Sequence, residues 1–290
     1  MEQALIEEIR RNVATALEED IGNGDLTAAL IPVNALSTAT VICREAAVIS
    51  GRPWFDQVFH QIDATITVEW LVSEGEQVAA DQPLCTLHGS SRNLLTGERA
   101  ALNILQTLSA TATATRHYVD LIAGSGATIL DTRKTLPGLR HAQKYAVRCG
   151  GGRNHRIGLF DAILIKENHI AAAGSITAAL LTARASVEEG VMIEVEVEVE
   201  VEVEVEDLAQ LEEALLSGCK RILLDNMPPE LLRRAVELNC GRAKLEASGG
   251  ITDETIVSIA ATGVDYISIG SLTKDIRAVD LSMRLAEGVS

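Results

Sequence analysis

Between Arg133 and His169 the chain gathers Arg133, Lys134, Arg140, Lys144, Arg148, Arg153, Arg156 and Lys166, opposed only by Asp161 and Glu167. Three of the six histidines, His141, His155 and His169, fall in the same window. The chain as a whole carries a formal net charge of −16. A local field of opposite sign, focused in a cleft, attracts and orients a small polyanion. Arg140, Lys144 and Arg148 read equally well as the solvated face of a helix. Arg133, Lys134 and Lys166 stand where short apolar runs end, and that reading suits them less.

Two glycine-bearing turns, "ASGGIT" and "SIGSLT", follow two later apolar runs. Backbone amides at such turns and at helix N-termini bind phosphate. Both turns are therefore candidate phosphate contacts. Asp225 closes the run "ILLD", and glutamates of an unusual Glu-Val tract lie upstream of it. Carboxylates beside a phosphate pocket suit Mg²⁺, which takes one or two protein carboxylates and fills its shell from phosphate and water. Cations, a phosphate cradle and a magnesium site together call for a substrate carrying diphosphate and a second, carboxylated anion.

The elements that must hold these groups follow from the patterning. "MEQALIEEIRRNVATALEED" is amphipathic at helical spacing, and short strand-like runs separated by turn residues fill 38–90, with "RPWFDQVFHQI" as a helix among them. A long Ala/Leu/Thr-rich helix from "LLTGERAALNILQTLSA" bridges to a second half. There "ATILDT", "DAILIK", the Glu-Val tract, "RILLDN", "KLEASGG" and "YISIGS" are strands, and helices separate the later ones. Regular βα units predict a parallel sheet curled into a barrel, with the site at the carboxyl ends of its strands. The polar strand ends Asp131, Lys166, Asp225, Ser248 and Gly270 would share that face. The expected domains are 1–110 and 111–290, the last fifteen or so residues packing back on the first.

Composition narrows the class. Aromatic residues make up 3% of the 290, too few for a base-stacking nucleic-acid module, and the acidic balance argues against a polyanionic polymer as partner. Five widely spaced cysteines form no CxxC pair, so free thiols in a reducing cytoplasm are expected. No apolar window approaches the ~20 residues of a membrane span.

The tract "IEVEVEVEVEVEVEDL" alternates seven glutamates, Glu194 to Glu206, with valine. Alternation of this kind is a strand with one charged and one apolar face. In a barrel the valines would face the helix layer and the glutamates the lumen. An unpaired buried carboxylate is too costly, and cations are too few for all seven. The last residues should therefore hold the register, with Glu204 facing the site between Glu202 and Glu206. Glu194 to about Glu200 would then run back beyond the amino-end face as a solvated extension.

"DTRKTLPGLRHAQKYAVRCGGGRNHRIGLFDAILIKENHI", with "LTGERAALNILQTLSA", "EVEVE", "LLDN", "ASGGIT" and "GVDYISIGSLT", resembles the quinolinate phosphoribosyltransferases over nearly the whole chain. The resemblance implies an α/β architecture: an N-terminal α/β open sandwich and an open, seven-stranded, TIM-like α/β barrel, assembled as a homodimer. It implies transfer of phosphoribosyl to quinolinate with loss of CO₂. By the same resemblance Arg133, His155, Arg156 and Lys166 surround the quinolinate carboxylates, and Arg99 reaches in from the partner subunit. Lys134 touches both substrates, Glu204 and Asp225 face ribose and magnesium, and Ser248, Gly249, Gly250 and Gly270 hold the 5′-phosphate. Rival readings are a transferase for another pyridine acid, a barrel lyase forming a Schiff base on Lys134 or Lys166, and an inactive scaffold.

Overall fold

A computed structural model describes residues 3–188 and 201–286. In chain order the elements are α1 (Gln3–Ile21), β1 (Leu36–Cys43), β2 (Ala47–Val48), α2 (Arg52–Ile62), β3 (Thr67–Trp70), β4 (Gln77–Val78), β5 (Gln82–Ser90) and α3 (Ser91–Leu121). There follow β6 (Thr128–Leu130), α4 (Arg140–Cys149), β7 (Ile163–Ile165), α5 (Glu167–Ala173), α6 (Ile176–Glu188), β8 (Val201–Val205), α7 (Leu208–Leu216) and β9 (Arg221–Asp225). The chain ends with α8 (Pro229–Asn239), β10 (Lys244–Ser248), α9 (Asp253–Ala260), β11 (Tyr266–Ser268), α10 (Ser271–Lys274) and β12 (Leu281–Leu285).

Two compact units result, and they interleave. The first takes Met1–Arg116, Thr135–Gly151 and Ser271–Ser290; the second takes His117–Lys134 and Gly152–Gly270. Where the sequence reading draws one cut near residue 110, the fold sends α4 to the first unit. Its Ala142 and Ala146 are fully buried in that unit's core, so apolar packing rather than chain order decides its place. In the first unit an antiparallel sheet of order β12-β1-β5-β3 carries buried residues such as Val41, Leu84 and Leu87. Trp54, Phe55, Val58 and Phe59 on α2 and Leu94, Leu105 and Leu108 on α3 complete the core. Trp54 Nε1 donates to Asn12 Oδ1 at 3.1 Å, which satisfies the buried indole N–H.

In the second unit six parallel strands run in the order β6-β11-β10-β9-β8-β7. These are the six strand runs of the sequence reading. The seven-stranded barrel that the family resemblance implies is met, among the described residues, by six strands plus a single parallel bridge between Leu130 and Arg153 beyond β6. The segment shortens there because three glycines precede Arg153 and side chains, not the backbone ladder, hold Asn154 and His155. Strand periodicity sorts the residues by face. Val203, Val205, Ile222, Leu224, Leu245, Ala247 and Ile267 are buried on one face. On the other, the parallel register sets Glu204 beside Leu223 and Asp225 beside Ser248. Three helix starts are fixed locally: Asp207 accepts the Gln210 amide at 2.8 Å to open α7, Pro229 opens α8, and a Thr252–Thr255 capping box opens α9.

The β8 strand covers the last Val-Glu steps of the tract. The expectation for Glu194 to Glu200 lies outside the described residues.

Gly150 ends α4 where α3 passes. A Cβ there would lie 2.5 Å from the Ala112 carbonyl oxygen and 2.6 Å from Thr115 Cβ. Its φ is −72°, so the demand is for space rather than for a special backbone conformation. Gly150→Ala is expected to cost about 1–3 kcal/mol by overpacking. Urea unfolding monitored by Trp fluorescence measures it, and an unchanged midpoint would refute the close approach.

Candidate active site

The carboxyl ends of the parallel strands surround a cavity of ≈ 420 Å³. Arg133 and Lys134 reach it from the loop after β6, His155 and Arg156 from the segment after the Arg153 bridge, and Lys166 from the end of β7. Glu204 enters from β8, Asp225 from β9, and Ser248, Gly249 and Gly250 from the end of β10. Gly270 lies just behind Lys134: a Cβ on it would stand 3.2 Å from Lys134 Cδ. Arg99 is on α3 in the first unit, with its side chain 59% exposed and 3.9 Å from Glu98. Of the polar strand ends, Asp131 is fully buried and lies outside the lining.

The cavity has a cationic side and an acidic side. Lys166 Nζ donates to Glu204 Oε2 at 2.5 Å. Arg156 Nη1 donates to the Ala162 carbonyl at 3.1 Å, which leaves other N–H groups of its fork to face the cavity. Partial burial and the charge of Arg133 lower the pKa of Arg156 without discharging it. Two like charges held together at one mouth are a field looking for a dianion. On the acidic side Asp225 Oδ2 accepts from Asn226 Nδ2 at 2.6 Å.

The turn after β10 is made by conformation. Gly249 has φ +93° and Gly250 φ +58°. A Cβ on Gly249 would meet Asn226 Oδ1 at 2.0 Å, so only glycine fits beside Asp225-Asn226. This brings the backbone of the turn against the strand end that carries Asp225.

At the floor of the cavity, with His155 and Glu246 in its lining, lies a charge cluster that sequence reasoning missed. Glu202 and Glu246 are buried, and Arg221 spans them: Nε is 3.1 Å from Glu202 and Nη2 is 2.8 Å from Glu246. The guanidinium also sits 4.7 Å from the centre of the Tyr266 ring. His155 Nε2 lies 2.9 Å from Glu202 and 3.6 Å from Glu246. Burial opposes a second proton on His155, while the Glu202 hydrogen bond and the two carboxylate charges favour it and raise its pKa. The Arg156 amide, which can only donate, points at Nδ1 at 2.7 Å and favours the neutral ring with its hydrogen on Nε2. Burial and the charge of Glu202 push Glu246 up to about 7 against the pull of His155 and Arg221. Burial also works to raise Glu202, but its His155 and Arg221 partners outweigh that and hold it below the usual range. The sequence shows only the members, charged residues within the apolar strands "RILLD" and "KLEAS", and not their pairing. Thr132, Leu164, Leu223, Asn226 and Ser268, with Glu246 of the cluster, complete the lining and were also not foreseen.

Known proteins fit this arrangement. The family model "Quinolinate phosphoribosyl transferase, C-terminal domain" matches residues 111–284 and the N-terminal domain model of the same family matches 25–109. The chain belongs to the quinolinate phosphoribosyltransferase family. A probable carboxylating nicotinate-nucleotide pyrophosphorylase of Bacillus subtilis is 42% identical over 91% of this chain and 89% of its own length. A chloroplastic relative from rice is 41% identical over 96% of this chain and 78% of its own. The solved nicotinate-nucleotide pyrophosphorylase of Francisella tularensis superposes with a TM-score of 0.92 at 44% identity, covering 97% of both chains. In this quinolinate phosphoribosyltransferase, then, the mixed α/β architecture read from the sequence stands.

The buried cluster has a signed pH signature. Glu246 is protonated more readily in the folded chain than unfolded, so folding stability falls as pH rises from about 4.5 through about 7. Glu202, shifted the other way, affects stability only at lower pH. Glu246→Gln keeps an acceptor for Arg221 and removes the charge. The variant should match the wild type near pH 5 and exceed it near pH 8 by on the order of 1–3 kcal/mol. Thermal melts at the two pH values check this; a pH-independent difference would contradict it.

Proposed function

We propose that this enzyme transfers the phosphoribosyl group of phosphoribosyl diphosphate to the ring nitrogen of quinolinate, with loss of CO₂, giving nicotinate mononucleotide and diphosphate. The observation that carries the reading is one cavity with guanidinium and ammonium groups on one side and carboxylates with a glycine turn on the other. The first side suits a planar dicarboxylate; the second suits a phosphorylated sugar.

Arg133 and Arg156 bind the quinolinate carboxylates through paired N–H groups and fix the ring plane. Leu164 and Leu223 supply the apolar surface on which a pyridine ring lies. Lys134, between the arginines and the glycine turns, contacts both substrates, and Lys166, tied to Glu204, sets the edge of the site. The amides after Ser248 receive the 5′-phosphate, with Gly270 leaving room for Lys134. The pyridine nitrogen is a weak nucleophile, so alignment with the anomeric carbon is the chief contribution of the chain. Glu204 stabilises the positive charge that grows on the sugar as diphosphate departs. The ribosylated ring is cationic and holds the electron pair left at the ring carbon as CO₂ departs; a proton from solvent then bonds to that carbon, so no side-chain base is required.

Glu204 and Asp225 are hard oxygen donors facing one open cavity, the donor set that suits Mg²⁺ alongside phosphate and water. Bound there, the ion would neutralise charge on the leaving diphosphate. The reading includes a homodimer in which Arg99 of one protomer completes the other's site; its exposed guanidinium supports this. A reducing cytoplasmic setting agrees with the free cysteines Cys43, Cys85, Cys149, Cys219 and Cys240. Among the described residues no helix is long and apolar enough to cross a membrane. The Schiff-base reading loses support at Lys166, which a carboxylate engages.

Mixing enzyme, quinolinate, phosphoribosyl diphosphate and Mg²⁺ should release diphosphate and CO₂ in equal amounts; no release would refute the assignment. Arg133→Ala should raise the KM for quinolinate at least about tenfold, the loss of one charge-assisted pair. Gly249→Ala should instead raise the KM for phosphoribosyl diphosphate, since a methyl group there displaces the turn. Swapped effects would overturn the two-sided arrangement.

A further inference from the structure

Arg156 and His155 come from a segment with little regular structure of its own. Asp161 holds the far end of that segment through the Ile157 and Gly158 amides, and Asp131 holds the near end. Its Oδ2 accepts from Asn154 Nδ2 at 2.6 Å and its Oδ1 from the His155 amide at 2.9 Å. The backbone joins in: the Asp131 amide donates to the Arg153 carbonyl at 3.2 Å, and the Arg153 amide to Ile129 at 2.9 Å. Asp131 is fully buried at the end of β6 and lines none of the cavity. Each oxygen takes a donor from one short segment, and a buried carboxylate hydrogen-bonded by two such donors is a rigid anchor.

We infer that Asp131 is a positioning residue for substrate binding: it ties residues 154 and 155 to the end of β6, and so fixes where Arg156 enters the cavity. The His155 ring extends the brace, since its Nδ1 takes the Arg156 amide while its Nε2 faces Glu202. Arg156 is thus set by a chain of hydrogen bonds that starts at a group the substrate does not reach. The inference rests on quinolinate being the ligand of Arg156.

The polarity of the Asp131–Asn154 contact gives a direct test. Asp131→Asn leaves an oxygen for the His155 amide but turns an NH₂ group toward the NH₂ of Asn154. Donor then meets donor, and the segment must move. The double variant D131N/N154D restores a donor–acceptor pair with the roles exchanged. Steady-state kinetics on the full enzyme, with melting temperature as control, should show a tenfold or greater rise in KM for quinolinate in D131N. In that variant kcat and the KM for phosphoribosyl diphosphate should stay within about threefold. The double variant should recover most of the quinolinate KM. Should D131N fail to fold, Asn154→Ala, which removes only the side-chain donor, should raise the same KM about threefold.

An unchanged quinolinate KM in D131N, or in N154A if that variant is the one measured, would overturn the inference. So would equal damage to all three constants with no recovery in the double variant, because that is the mark of general destabilisation. Wild-type turnover of quinolinate is read first. Its absence strikes at the proposed substrate, whereas normal wild-type turnover with an insensitive D131N strikes at the positioning role alone.

Discussion

A glutamate that points into the interior of a parallel sheet must meet a cation, and much of the second unit follows from that demand. Glu202 and Glu246 are both buried there, and removing one partner from such a pair leaves a charge with no compensation. Arg221 answers both, and His155 answers Glu202 a second time. One step further along β8, Glu204 is met by Lys166 at the mouth. The strand is thereby pinned in register by charge: sliding it by two residues would keep every side chain on its face but would exchange the partners.

The same pairing separates a structural layer from a functional one. Deep in the sheet, positive and negative groups are matched within the chain. At the mouth, Arg133, Lys134 and Arg156 crowd one side of a cavity and the carboxylates stand opposite. A low-dielectric floor beneath them strengthens the field above it. Alignment of two anions with opposite demands then needs no moving part, only strand ends held at fixed heights. The glycine turn beside Asn226 and the anchored segment at Arg156 are local solutions to the same requirement.

Much of this was legible in the sequence. The apolar runs "ILLD", "AILIK" and "YIS" announced buried parallel strands, and their polar last residues announced a shared face. The cation window and the glycine turns pointed to anion chemistry before any family was considered. The family motifs then assigned roles to particular residues. Three features were hidden, each for a physical reason. Arg221 and Glu246 sit in different strands and become partners only across the sheet, so neither stretch signals the pair. The assignment of α4 to the first unit depends on apolar packing at long range, which a helical pattern does not disclose. The Asp131 anchor looked like one more strand-end carboxylate, because nothing local reveals that its side chain turns inward.

In the proposed function the cations at the mouth grip a planar diacid. A crystal structure of the enzyme with quinolinate bound tests it most directly. The two carboxylates are expected within about 3 Å of the Arg133 and Arg156 guanidinium groups, with the ring edge turned toward Glu204 and Asp225. A diacid bound with its carboxylates on the glycine-turn side, away from both arginines, would contradict it.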